Sequence, residues 1–321
     1  SGKRVAVIGT GATAVQIVPH VGAGAKELFL FQRTPSGVDV RDNRPTDPEW
    51  AQSLEPGWHR ERMENFNALV SGVPQAEDLV SDGWTDLIGK MVRMFQAGAQ
   101  GGRSLEEIVE MANFEKMNEI RDRVDELVTE PTANEALKPW YQMFCKRPCF
   151  HDDYLPTFNR PNVELVDTDG KGVDQITEKG VVVAGREYEV DCIIFATGFE
   201  VGTGYARRAG YDIVGRGGET LTERWSKGIR TLHGMQVHGF PNCFIMGANQ
   251  GGFTANYPHL LDESATHLSH IIGHTLDEGF STVEVTAEAE EAWVQMILEQ
   301  GVGAMGGLGG EGCTPGYYNN E

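Results

Sequence analysis

Basic residues are scarce in this chain of 321 residues, with 27 Lys and Arg against 47 Asp and Glu and a formal net charge of −20 at pH 7. Nucleic acids and anionic membranes both demand a basic surface, so neither is an expected partner. One basic pocket for a phosphorylated small molecule remains compatible with that balance. Long apolar runs are also missing. None reaches the roughly 18–20 residues of a membrane span, and no secretory signal is legible at the start, so the expected location is cytoplasmic. The five cysteines (Cys145, Cys149, Cys192, Cys243 and Cys313) are an odd number without a CxxC pair. They read as reduced thiols rather than a disulfide framework, with Cys145 and Cys149 as structural thiols. The chain is long enough for two domains, or for one carrying a large insertion. It shows no internal repeat.

What is present is a glycine-rich run, Gly9-Thr10-Gly11-Ala12-Thr13-Ala14, directly behind the apolar strand Val5-Ala6-Val7-Ile8. A buried parallel strand that turns sharply into a helix needs a glycine at the turn. It needs a second where backbone approaches a pyrophosphate, and a small third residue where helix and strand pack. The helix N-terminus offers unpaired N–H groups and partial positive charge to the phosphates. NAD-binding proteins carry an acid at the end of the next strand. Here the run Glu27-Leu28-Phe29-Leu30-Phe31 ends in Gln32-Arg33-Thr34 instead. An arginine forks onto a phosphate that an acid would repel, so the expected ligand is the 2′-phosphorylated dinucleotide.

Beyond this β-turn-α-β opening, 41–56 reads as a loop, and a polar helical stretch runs from Trp58 to about Trp140. Its clearest helix spans 104–129: Ser104 and Glu107 form a capping box, and Ile108, Met111, Ala112, Ile120, Val124, Leu127 and Val128 recur at helical spacing. A second box, Thr132 with Glu135, opens a short helix. Strand character returns in Val163-Glu164-Leu165-Val166, Val181-Val182-Val183 and Val190 to Phe195. The last run, continuously apolar after Asp191, reads as a central parallel strand. It ends in Ala196-Thr197-Gly198, where small residues let backbone pass close to a cofactor. Later come a strand at Phe244-Ile245-Met246 leading into Asn249-Gln250-Gly251-Gly252, and a helix over 256–274. Thr286 caps another helix that ends near Gly301, and the glycine-dense run 301–312 reads as a mobile loop. His267, His270 and His274 share a helix face and read as polar surface, so no metal is expected.

Several separated stretches together give the chain a family likeness. GTGATA, Phe31-Gln32-Arg33-Thr34-Pro35, the helical insertion, Phe144-Cys145-Lys146-Arg147-Pro148, Tyr154 and Phe158-Asn159-Arg160 occur in order. They are followed by Ala196-Thr197-Gly198, Gly239-Phe240-Pro241-Asn242 and Cys313-Thr314-Pro315-Gly316-Tyr317-Tyr318. The sequence resembles the type I Baeyer–Villiger monooxygenases of the class B flavoprotein monooxygenases. The resemblance implies an α/β fold, with a Rossmann-like NADPH domain over 1–46 and 144–199 and a helical insertion over 47–143. Residues 200–321 would form the C-terminal part of a second, FAD-binding α/β domain. It implies FAD and NADPH as cofactors, with a small-molecule ketone and O2 as substrates of an oxygen insertion that gives an ester or lactone.

By the same resemblance Arg147 is the catalytic residue, stabilising developing negative charge, and Lys146 joins Arg33 and Thr34 around the 2′-phosphate. Asn249 and Gln250 approach the flavin. Full members begin with a separate GxGxxG for FAD and carry a linking fingerprint between the domains, and neither occurs in this sequence. The expectation is therefore a fragment lacking the N-terminal FAD-binding part, or half of a split enzyme with a partner chain, inactive alone. Two rival readings are an N- or S-oxygenating flavin monooxygenase and a non-catalytic NADP-binding module. A pyridine nucleotide–disulfide reductase would need a redox cysteine pair at CxxC spacing.

Overall fold

The computed structural model describes residues 1–199, 203–247, 249–252, 254–304 and 313. Its contacts form two compact units: Ser1–Trp58 with Val80–Gly202 and Gly307–Glu321, and His59–Leu79 with Thr203–Gly306.

In the first unit, β1 (Arg4–Ile8) leads through the glycine turn into α1 (Ala12–Gly24), and β2 (Glu27–Gln32) returns parallel to β1, with Val5 opposite Leu28 and Ile8 opposite Phe31. Both faces of β1 are apolar because both are covered. Val5 and Val7 join Ala14, Val15 and Val18 of α1 in one buried cluster, whereas Ala6 and Ile8 join Val181, Val183 and Tyr188 in another. Those last three residues belong to an antiparallel meander of β6 (Gln175–Ile176), β7 (Gly180–Val183) and β8 (Arg186–Glu189). The sequence signalled only β7 of these; Arg-Glu-Tyr-Glu in β8 carries a single apolar residue, Tyr188. The main sheet is completed by β5 (Val163–Asp167) beside β2 and β9 (Cys192–Phe195) beside β1, all parallel, in the order β5-β2-β1-β9. The expectation of a central β9 is corrected. It is an edge strand of the described sheet, with Cys192 exposed and Phe195 61% exposed. An apolar run does not by itself fix a strand's place in the sheet, which depends on the strands that flank it.

A short parallel pair, β3 (Val38–Asp39) with β4 (Cys149–Phe150), brackets most of the helical stretch. Between them lie α2 (Pro48–Ser53), α3 (Trp58–Val70, nearly all in the second unit), α4 (Gly83–Gln100), α5 (Leu105–Leu127) and α6 (Pro131–Leu137). Helix α5 has the expected Ser104–Glu107 capping box. Its middle packs Ala112, Met117 and Ile120 against Leu87 and Met91 of α4. Farther along, Val124 joins the core that covers β1. Met111, expected in the stripe, is 42% exposed; Met117 takes the inward position. The cap of α6 is Glu130, whose carboxylate accepts from the Thr132 and Ala133 amides, rather than Thr132. Helix α7 (Tyr154–Thr157) packs on α1 and buries Tyr154 fully.

The second unit contains α8 (Tyr205–Ala209), α9 (Leu221–Arg224), α10 (Tyr257–Asp277) and α11 (Ala287–Ala304). Leu221, Val237 and Phe240 form its small core. Buried Glu290 accepts the His238 amide and pairs with Arg224. Thr286 caps α11 by accepting from the Ala289 amide, and the helix runs three residues beyond the expected end at Gly301. The expected strand at Phe244–Met246 is irregular chain, its Ile245 amide donating to Met235 O at 2.8 Å. Of the expected glycine-dense loop, 305–312 lies outside the described residues, as do Ala248 and the 314–318 part of the late motif. No described helix is long and apolar enough to cross a membrane.

Leu30 is fully buried in the cluster against α1. Leu30→Ala should lose about 2–5 kcal/mol in chemical denaturation, while Leu298→Ala, 54% exposed in α11, should stay within about 0.5 kcal/mol of the parent.

Candidate functional site

The carboxyl ends of β1, β2 and β9 open into one cleft of about 450 Å³. Ligands of open α/β sheets bind at such strand ends. The lining includes Gly9, Thr10, Gly11, Ala12, Thr13, Arg33, Thr34, Lys146, Arg147, Ala196, Thr197 and Gly198. Residues from four separated stretches of sequence are thus brought together. Ala14 does not line the cleft; it is fully buried in α1, where it packs helix against sheet.

Gly9 is where the turn admits no other residue. Its φ is +106°, and a Cβ would lie 2.4 Å from Ala196 O. That approach follows from the parallel ladder, in which the Gly9 amide donates to Phe31 O at 3.0 Å and the Ala196 amide to Ile8 O at 2.8 Å. Gly11 is the N-cap of α1, with no side-chain cap and no acid in the first turn. Nothing lies within 4 Å of where its Cβ would be. Gly11, Ala12 and Thr13, at the first turn of α1, thus line the cleft with no side-chain cap over the helix end, as an anion cradle requires.

A lock behind the cradle has no sequence signature. The Thr10 hydroxyl donates to Thr34 O at 2.7 Å, and the buried Ser36 hydroxyl donates to Thr10 O at 2.6 Å. Thr10 is thereby turned toward the chain that follows β2, and it ties the glycine turn to the Arg33–Thr34 segment. Ser36 was not anticipated, since an isolated serine after a Thr-Pro turn carries no pattern.

Lys146 reaches the same segment from the chain before β4. Its amine donates to the Thr34 hydroxyl and lies 5.1 Å from the Tyr141 ring centroid. The Tyr141 hydroxyl donates to Pro35 O at 3.0 Å and accepts from the Gly37 amide at 2.8 Å, so one phenol fixes both sides of the turn that Lys146 contacts. Burial, and then the neighbouring Arg33 charge, push the Lys146 amine down to about 8. Arg147 is exposed and lines the cleft one residue on. The turn bearing both cations begins at Phe144, whose φ of +69° is costly for a residue with a Cβ.

The reduced-thiol expectation is corrected here. Cys145, fully buried, is disulfide-bonded to Cys313. A pairing across 168 residues leaves no trace in local spacing. Cys149 remains a buried thiol, pushed up to about 11 by burial.

Asn249 and Gln250 lie in the second unit. Asn249 is exposed. The Gln250 carboxamide is tied to the 229–231 segment, accepting from the Thr231 amide and hydroxyl at 2.8 Å each and donating to Ile229 O at 2.7 Å. Trp293 donates its indole N–H to Gln250 O at 3.1 Å. Gln250 is therefore a loop brace.

No family model matches the chain. Individual proteins do. It is 53% identical over 324 residues to pentalenolactone D synthase of Streptomyces arenae, covering 99% of this chain and 55% of that protein. It is 50% identical over 322 residues to the Baeyer-Villiger monooxygenase ATR8 of Stachybotrys chlorohalonatus, covering 99% and 51%. Among solved structures, a polycyclic ketone monooxygenase from the thermophilic fungus Thermothelomyces thermophila matches with a TM-score of 0.81 at 38% identity, over 97% of this chain and 52% of that one. The complex of OTEMO with FAD and NADP matches with a TM-score of 0.76 at 29% identity, over 96% and 58%. The chain spans about half the length of the relatives it matches. Over that span, it is similar in sequence and in fold to Baeyer–Villiger monooxygenases.

Proposed function

We propose that this chain carries the NADPH-binding domain and the catalytic arginine of an enzyme that inserts one oxygen of O2 beside a ketone carbonyl, giving an ester or lactone. The observation that carries the reading is the cleft. An uncapped helix N-terminus and the glycine turn stand at one place, and Arg33, Lys146 and Arg147 line the same space. That is a dinucleotide cradle with cations for an additional phosphate. The similarity to monooxygenases, one of them solved with FAD and NADP, supplies the chemistry.

Within this proposal residues 1–46 and 144–199 are the NADPH domain, 47–143 its insertion, and 200–321 the C-terminal part of the FAD domain. The α1 amides and Gly11 take the pyrophosphate, and Ala12 and Thr13 lie at its entry. Arg33, Thr34 and Lys146 take the 2′-phosphate. Ala196, Thr197 and Gly198, with φ of +95° at Gly198, give backbone close passage to the cofactor. Arg147 donates hydrogen bonds to the anion that develops on the substrate oxygen, a role suited to a guanidinium, which keeps its charge across the working pH range. When bound, FAD supplies the activation of O2. Among the described residues one glycine turn joins a strand to a helix, so the proposed enzyme takes its FAD phosphate cradle from a further segment or a partner chain. Asn249, exposed, and Gln250, its carboxamide held by Thr231 and Ile229, are the pair assigned toward the flavin. The proposed compartment is the cytoplasm.

Arg33→Ala should weaken NADP+ binding by about 10–100-fold, as loss of charged hydrogen bonds does, and leave NAD+ affinity nearly unchanged in calorimetry. Equal loss for both nucleotides would remove the 2′-phosphate assignment. The Lys146 amine is cationic below about 8 and neutral above, and a phosphate dianion favours the cation. NADP+ affinity should therefore fall as pH rises through 8. Binding near that pH should take up protons, seen as a dependence of the heat on buffer ionisation; Lys146→Arg should abolish both effects. Gly9→Ala, whose added Cβ would lie 2.4 Å from Ala196 O, should eliminate binding of either nucleotide in the same titration.

A further inference from the structure

The Lys146–Arg147 turn combines three features that no local sequence rule requires. It opens on a left-handed Phe144, it passes through the fully buried Cys145, and that cysteine is bonded to Cys313. A strained residue persists only where its surroundings over-determine it. Here the surroundings include a covalent link between Cα atoms 5.2 Å apart. Weaker restraints on the turn include the Cys145 amide donating to Gln142 O at 3.0 Å, the Met143 amide donating to the Asn113 side chain at 2.5 Å and the Lys146 amine donating to the Thr34 hydroxyl. The two residues directly after Cys145, Lys146 and Arg147, are two of the three cations that line the cleft.

We propose that Cys145 and Cys313 form a reversible thiol–disulfide site that fixes the Lys146–Arg147 turn, so that its oxidation raises affinity for the phosphorylated dinucleotide. The affinity half rests on the dinucleotide reading of the cleft. The oxidant class is a hydroperoxide, with hydrogen peroxide the simplest. Cys313, the partly exposed partner, attacks peroxide as its thiolate; the O–O bond breaks, one water leaves, and the sulfur becomes a sulfenic acid. The Cys145 sulfur then displaces the sulfenic hydroxyl as a second water while the S–S bond forms. Two thiols are oxidised by two electrons and one peroxide is reduced to two waters. A dithiol reductant reverses the bond by exchange. Cys149, four residues from Cys145, is buried and protonated, so it does not compete as a nucleophile. In a reducing compartment such a bond acts as a sensor rather than a permanent brace.

The test uses the whole chain, treated either with hydrogen peroxide or with a phosphine reductant that is then removed. Digestion without reductant followed by mass spectrometry should find the Cys145–Cys313 cross-link only in the oxidised sample. NADP+ titration should give an affinity about five- to tenfold lower after reduction, the cost of ordering a loosened turn on binding. Limited trypsin digestion of the folded chain gives a readout that needs no nucleotide. The Lys146–Arg147 bond should be cut about tenfold faster in the reduced protein, because cleavage follows local opening. Arg147–Pro148 resists the protease in both forms. Cys313→Ser should behave like reduced protein under either treatment. Cys145 and Cys313 both alkylated after peroxide treatment would overturn the proposal, as would a cross-link that changes neither cleavage nor affinity. Redox-dependent cleavage without NADP+ binding in either form would uphold the tether and reject the nucleotide reading instead.

Discussion

Holding like charges together is the constraint on which this structure turns. Arg33, Lys146 and Arg147 line one cleft of a chain whose net charge is −20. Burial first, and then repulsion from Arg33, bring the Lys146 amine down to about 8. A lysine that binds its proton less tightly when folded lowers stability below that pH, and the penalty fades as pH rises from 8 toward the ordinary value of 10.5. The remaining features of the cleft oppose that repulsion with uncharged restraints: the Thr10–Thr34 and Ser36–Thr10 hydrogen bonds, the Tyr141 hydroxyl bridging Pro35 and Gly37, and the disulfide at Cys145. An acid in the cleft would neutralise the cations more simply, and it would also repel a phosphate.

The helical stretch belongs to the same design. Helix α5 buries Val124 in the cluster beneath β1 and Ile120 in the cluster with α4. Tyr141 and Lys146 follow shortly after α6, so the position of the second cation segment depends on how this stretch packs. Lys116, nearly buried, pairs with Asp39 of β3 and lies 3.2 Å from Glu119, which joins the helices to the β3–β4 pair leading to Cys149. Deleting one member of such a buried group leaves an uncompensated charge, which costs more than an exposed pair contributes.

How much of this was legible in sequence follows from the range of each interaction. The turn Gly9 to Ala14 and the α5 capping box are local, because backbone sterics and three-residue hydrogen bonds write themselves into adjacent residues. The basic end of β2 is local too. Arg147 and Lys146 were legible only through family likeness, since two cations before a proline have no spacing of their own. Ser36, the Cys145–Cys313 bond and the edge position of β9 depend on which distant segments meet, and nothing near them in sequence encodes that. Glu130 displaced Thr132 as the α6 cap because Pro131 occupies the first helical position and sets the acid where two amides converge.

The edge position of β9 bears on handling this chain as a solution species. Its outer row of backbone N–H and C=O groups ends at Phe195, and an exposed thiol, Cys192, lies at its start. A short parallel edge with an apolar terminus invites strand addition by a second molecule, and the thiol turns such an encounter into a covalent dimer. Against this the chain has its acidic excess, which keeps copies apart at low ionic strength and does so less as salt screens it. Colloidal behaviour should therefore follow ionic strength and thiol state together, with high salt and air the conditions under which the edge governs.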